Sequence, residues 1–182
     1  MSITVHRSAE RVAPPRQDLP LVAIFVGTDH HPFDRVMAWA DEVAAAGRHR
    51  FFVQHGSTVL PGSLEGDGIL AAAAMTELLE QADAVVTHAG PGMVMEARAA
   101  GHLPIVVPRD SGLGEHVDDH QLRFASRIAD SGLVTLVHDR ADFAAALDQT
   151  LRHGRIARTD DDRAHEASAR FGRLVDQLVH RR

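Results

Sequence analysis

The chain has 182 residues, 45% hydrophobic and 24% charged, and its 19 basic against 25 acidic residues leave a formal charge of −6 with every His neutral. That composition suits one globular domain with a sizeable core, and the acidic balance speaks against a nucleic-acid surface. Cys and Lys are absent, which removes disulfides, thiolate nucleophiles, zinc-thiolate sites, Schiff bases and the lysine of a Walker-type phosphate loop.

Residues 1–19 read as a polar N-terminal arm containing Pro14 and Pro15. No secretory signal or bilayer-spanning run is visible, so a cytoplasmic protein is expected. The apolar run Leu21–Val26, closed by Gly27-Thr28-Asp29, predicts a buried strand. Helical spacing from Phe33 to Ala46 stops at Gly47, and Phe51–Val53 predicts a short second strand. His55–Gly68 reads as a loop, Ile69–Gln81 as a helix and Ala84–Val86 as a third strand. A helix from Met93 to Ala100 then precedes the strand Pro104–Pro108. Next come a helix over Val117–Asp130, the strand Leu133–Val137 and a helix over Ala141–Leu151. Residues 154–182 are expected to form a C-terminal helical extension, with Phe171, Leu174, Val175 and Leu178 as an apolar stripe.

Short apolar strands alternating with amphipathic helices predict an α/β fold: one Rossmann-like domain over residues 20–153, with a mainly parallel sheet of five strands. The segments after the strands, Gly27–His31, His55–Ser57, His88–Gly92 and Arg109–His120, then gather on the C-terminal edge, where open α/β sheets bind ligands.

Two of these segments carry chemistry. In Thr87-His88-Ala89-Gly90-Pro91-Gly92-Met93-Val94-Met95-Glu96, a glycine turn runs from strand into helix, where free N–H groups and the helix dipole favour phosphate. Glu96 follows Gly92 by one helical turn, so its carboxylate can accept from a pair of hydroxyls beside the same pocket. The spacing is not the G-x-G-x-x-G of a dinucleotide fold, because Met95 stands where Gly would be required. The second segment, Val107 to Gln121, offers Arg109 and backbone donors to a diphosphate, together with His120 and Gln121. His116 and His120 are spaced i, i+4, but Asp118 and Asp119 between them cannot both share the histidine face, so no metal site is assigned. His30 and His31 lie on the ligand edge, and neither is assigned as a catalytic base.

Taken together, H-A-G-P-G-x-x-x-E (His88 to Glu96), P-I-V-V-P-R (Pro104 to Arg109) and D-H-Q-x-x-x-A (Asp119 to Ala125) resemble the C-terminal, nucleotide-sugar-binding domain of family twenty-eight glycosyltransferases, the MurG-like donor-binding domain. The early V-G-T-x-x-x-x-F-D (Val26, Gly27, Thr28, Phe33, Asp34) resembles the small split members, which carry the donor half of a GT-B enzyme on its own chain. The similarity covers roughly Leu21 to Leu151. It implies that Glu96 binds the ribose, that the turn Gly90 to Met93 holds the pyrophosphate, that His88 shapes the phosphate site and that Gln121 contacts the sugar. Met93 departs from the small hydroxyl residue common in related sequences. Gly27, Thr28, Arg109 and His120 complete the candidate nucleotide-sugar site. The implied function is the donor-binding subunit of an inverting glycosyltransferase using a nucleoside diphosphate sugar, with UDP as the expected nucleotide, without metal or other cofactor and with no catalytic residue assigned. The expected partner is an acceptor-binding protein that recruits the chain to a membrane; a homodimer is the alternative assembly. A non-catalytic nucleotide-sugar module and an epimerase-like enzyme are the competing readings.

Overall fold

A computed structural model describes residues 18–156. The expected helix with its Phe171, Leu174, Val175 and Leu178 stripe, and nearly all of the N-terminal arm, lie outside the described residues. The sheet is wholly parallel and six-stranded, in the order β3-β2-β1-β4-β5-β6. Its strands are β1 (Leu21–Phe25), β2 (Arg50–Gln54), β3 (Glu65–Asp67), β4 (Ala84–Thr87), β5 (Ile105–Val106) and β6 (Thr135–Leu136). The helices are α1 (Asp34–Ala44), α2 (Ala72–Gln81), α3 (Pro91–Ala99), α4 (His120–Asp130) and α5 (Arg140–His153). No helix among them is long and apolar enough to cross a membrane.

The period of two along β1 explains the layering. Val22 and Ile24 join the core under α1 and α5 with Met37, Phe143 and Leu147, while Leu21, Ala23 and Phe25 meet Leu78, Leu79 and Ala97 of α2 and α3 on the opposite face. Both faces are covered, so β1 and β4 are continuous apolar runs rather than alternating ones. Trp39 of α1 and Phe143 of α5 pack in a tilted pair, 5.8 Å between ring centroids, which helps fix those helices side by side. A third cluster, with Phe124, Ala125 and Ile128 of α4, covers β5 near the β6 edge.

Five strands were expected, and the sixth, β3, lies inside the segment read as a loop. Glu65 and Asp67 are exposed, so this edge strand has no apolar signature. Gly66 makes it possible: a Cβ there would lie 2.0 Å from the Val53 carbonyl oxygen of the neighbouring strand. The helix expected from Val117 begins instead at His120, because the Asp118 carboxylate accepts from the His120 amide at 3.0 Å and turns the chain first.

Candidate functional site

The strand order reverses between β1 and β4: β1 leads outward to β2 on one side, and β4 to β5 on the other. A crevice opens beyond the carboxyl ends of such a pair. Here it is a cleft of about 330 Å³. Gly27 turns the chain out of β1 at φ +81°. Gln54, at the end of β2 and buried, pins that turn. Its Oε1 accepts from Gly27 N at 3.2 Å, and its Nε2 donates to the carbonyls of Gly27 at 3.0 Å and Gly68 at 2.8 Å. Gly27, Thr28, His88, Gly92, Met93 and Glu96 line the cleft, as six of the ten candidate residues. Gln54, Ile69, Leu70 and Met75 line it too and were not anticipated. The polar end of the otherwise apolar Phe51-Phe52-Val53-Gln54 was the available signal for Gln54.

The wall made by α3 has the features of an anion site. Gly90 is the N-cap and brings no side chain to cap the helix, while Pro91 occupies the first turn. The amides of Gly92 and Met93 in that turn precede the first intrahelical bond, which Val94 N makes to Gly90 O at 3.1 Å. Space beyond Gly92 is open, and Glu96 is exposed one turn further along the same wall.

His88 is wedged between two glycines. A Cβ at Gly27 would lie 2.9 Å from its ring, and one at Gly90 only 2.3 Å from its Nε2. Its Nδ1 is 3.2 Å from the Phe25 carbonyl oxygen; only a protonated Nδ1 can make that bond, so Nε2 is left as an acceptor in the neutral ring. Burial, reinforced by the Arg109 charge and opposed by the Phe25 bond, pushes the His88 imidazolium down to about 4. The unfolded chain binds a proton near the ordinary 6.5 that the folded protein refuses, so stability is full above about pH 6.5 and declines as pH falls toward 4. The complete separation corresponds to on the order of 3 kcal/mol. Urea unfolding at pH 7 and pH 4.5 checks this: His88→Gln should lose less stability between the two pH values than the wild type, and equal losses would contradict the assignment. Burial also lowers His102 and His49, which makes the comparison with the variant necessary.

Arg109 does not face the cleft. It is fully buried, and its Nη1 donates to the carbonyls of His31 at 2.7 Å and Glu115 at 2.9 Å, while Nη2 donates to Val26 O at 2.9 Å. The guanidinium packs over the Phe33 ring at 4.8 Å. The expected diphosphate contact is therefore corrected to an architectural role: the side chain locks the turn after β1 to the loop after β5. The Glu115 carboxylate stiffens the same loop, accepting from Arg35 Nε at 3.0 Å, Arg35 Nη2 at 2.8 Å and Asp110 N at 2.9 Å. Gln121 Oε1 accepts from Arg109 N at 3.3 Å, and His120 is largely exposed, 2.7 Å from Asp118. Neither lines the cleft. His116 precedes α4, so it does not share a helical face with His120; its Nε2 lies 3.6 Å from Asp29 Oδ2 instead.

Comparison with known proteins adds a family. The sequence matches the glycosyltransferase family 28 C-terminal domain over residues 21–178. No curated protein matches it. The calicheamicin glycosyltransferase CalG4 superposes with a TM-score of 0.57 and 21% identity, over 91% of this chain and 40% of that one. The glycotransferase of kitacinnamycin gives 0.55 and 20%, over 96% and 44%. For MurG of Acinetobacter baumannii the values are 0.45 and 18%, over 87% and 51%. At these identities the likeness is one of fold, and the chain spans less than half the length of the first two structures.

Proposed function

Because the chain belongs to the glycosyltransferase family 28 C-terminal domain family, we propose that its cleft binds the nucleoside diphosphate sugar donor of an inverting sugar transfer, with UDP as the nucleotide. The observation that carries this reading is one cleft at the β1/β4 reversal shared by the uncapped start of α3 and Glu96. In this reading an acceptor hydroxyl attacks the anomeric carbon, and the bond to the diphosphate breaks on the opposite face. Negative charge grows on the departing phosphate, where the amides of Gly92 and Met93 and the α3 dipole are already aimed and need no reorganisation. That arrangement takes the part a divalent ion would otherwise play at the diphosphate, so donor binding is proposed to be metal-independent. Glu96 accepts from the ribose hydroxyls, the neutral His88 offers an acceptor at Nε2, and Ile69, Leu70 and Met75 give the nucleobase an apolar wall. The sugar extends toward Gln121, whose carboxamide is oriented by its bond to Arg109 N.

The acceptor and its general base belong, on this reading, to an acceptor-binding partner subunit at the membrane. The described residues contain one Rossmann-like unit, and a sugar transfer needs a second surface to hold the acceptor in near-attack geometry. Turnover by the reconstituted pair, and not by the donor-binding chain alone, is the expected result. Robust acceptor-dependent turnover by the purified chain would contradict the split arrangement, and binding without turnover by any pair would favour a non-catalytic module.

Calorimetry with a UDP-sugar tests the site itself. Binding should persist after exhaustive chelation, and Glu96→Ala should lose about 1–3 kcal/mol, the range for hydrogen bonds to a charged group. Unchanged affinity in a folded Glu96→Ala protein would remove Glu96 from the site.

A further inference from the structure

Beyond the donor cleft, we propose that Asp29, His30, His31 and His116 bind one late first-row divalent cation of the zinc class, tying the loop after β1 to the loop that precedes α4. Asp29, His30 and His31 each bring a ligand atom to within 4.8 Å of the others. Around Asp29, His31 Nδ1 lies at 2.6 Å and His30 Nδ1 at 3.4 Å from Oδ1, and His116 Nε2 lies at 3.6 Å from Oδ2. Ligands on a tetrahedral zinc, with bonds of about 2.0–2.1 Å, sit roughly 3.3 Å apart. The His30 spacing to Oδ1 already falls near that value; His116 faces the other oxygen, Oδ2, from outside the group of three and completes the set by moving toward it. The shorter His31 contact holds a proton between the two atoms, and it opens by less than about 1 Å when a cation takes the proton's place.

Two independent features brace the cluster. His116 is held from behind: its Nδ1 accepts from Asp118 N at 3.3 Å, and ligation through Nε2 moves the ring proton to Nδ1, where the Asp118 carboxylate, 3.4 Å away, becomes the outer-sphere acceptor. Asp29 is held from both ends, its Oδ1 accepting from His31 N at 2.8 Å and its backbone carbonyl from Ser57 Oγ at 2.9 Å. The His31 and His116 side chains are only 23% and 20% exposed, whereas His30 at 83% is free to close over an ion. Three imidazoles with one carboxylate select zinc-class ions over magnesium or calcium, which prefer oxygen donors.

This inference does not rest on the donor-binding reading, and the ion is not proposed to touch the donor. The test is a calorimetric titration of the chelator-stripped full chain with zinc chloride, repeated on Asp29→Asn, on His116→Gln and on His153→Gln, the last an exposed histidine of α5 as control. The expected result is one tight equivalent for the wild type and His153→Gln, weakened at least about tenfold in the other two, with circular dichroism verifying their fold. If Asp29→Asn fails to fold, the double variant His30→Gln/His116→Gln takes its place, and cobalt(II) substitution should show tetrahedral ligand-field absorption in the wild type that this variant lacks. No stoichiometric zinc in the wild type, or equal affinity in all variants, overturns the proposal.

Discussion

Arg109→Met should lower the unfolding free energy by about 3–5 kcal/mol, the range for stripping one member from a buried charged network. The guanidinium is fully buried, and its two terminal nitrogens satisfy the carbonyls of Val26, His31 and Glu115, joining the turn after β1 to the loop after β5. Methionine fills much of the volume over Phe33 but donates nothing, so three acceptors lose a charged donor at once. Arg109→Lys should recover only part of the loss, because an ammonium lacks the planar fork that reaches carbonyls on both sides. Urea denaturation at neutral pH measures the effect, and a loss below about 1 kcal/mol would show that the loops are held by something else. Donor affinity of the folded fraction should fall far less than stability, since this side chain does not line the cleft.

Gly90→Ala should be the most damaging small change at the cleft itself. Its Cβ would lie 2.3 Å from His88 Nε2, and His88 cannot retreat without giving up its 3.2 Å contact with the Phe25 carbonyl or striking Gly27 on the other side. Overpacking of this kind costs about 1–3 kcal/mol of stability, and the displaced imidazole would occupy the space assigned to the diphosphate. The loss of UDP affinity should therefore be at least about tenfold, or 1.4 kcal/mol. A double-mutant cycle separates the two causes: in a His88→Ala background the collision is gone, and Gly90→Ala should cost much less stability there. Additive losses would mean that Gly90 matters for its backbone rather than for the room it leaves.

What was legible in the sequence follows from how local each feature is. Leu21 to Val26 and Ala84 to Val86 are apolar on both faces, so the central strands announce themselves, and Gly90 with Pro91 marks the start of α3 within a few residues. Six candidate residues converge on one cleft because strand ends in a parallel sheet share an edge whatever the side chains do. The rest depended on direction. Arg109 stands next to an exposed-looking loop, yet it points inward because three carbonyls and Phe33 await it there. No periodicity brings His116 beside Asp29, and β3 pairs through a glycine rather than an apolar face.

The most direct measurement of the donor-site claim is an amide-resolved NMR titration of the full chain with UDP. The Gly92 and Met93 amides should shift most, with Gly27 and Glu96 following, because those two N–H groups, uncapped at the start of α3, are the proposed diphosphate donors. Saturable binding that leaves Gly92 and Met93 unmoved, or no binding of UDP at all, would contradict it.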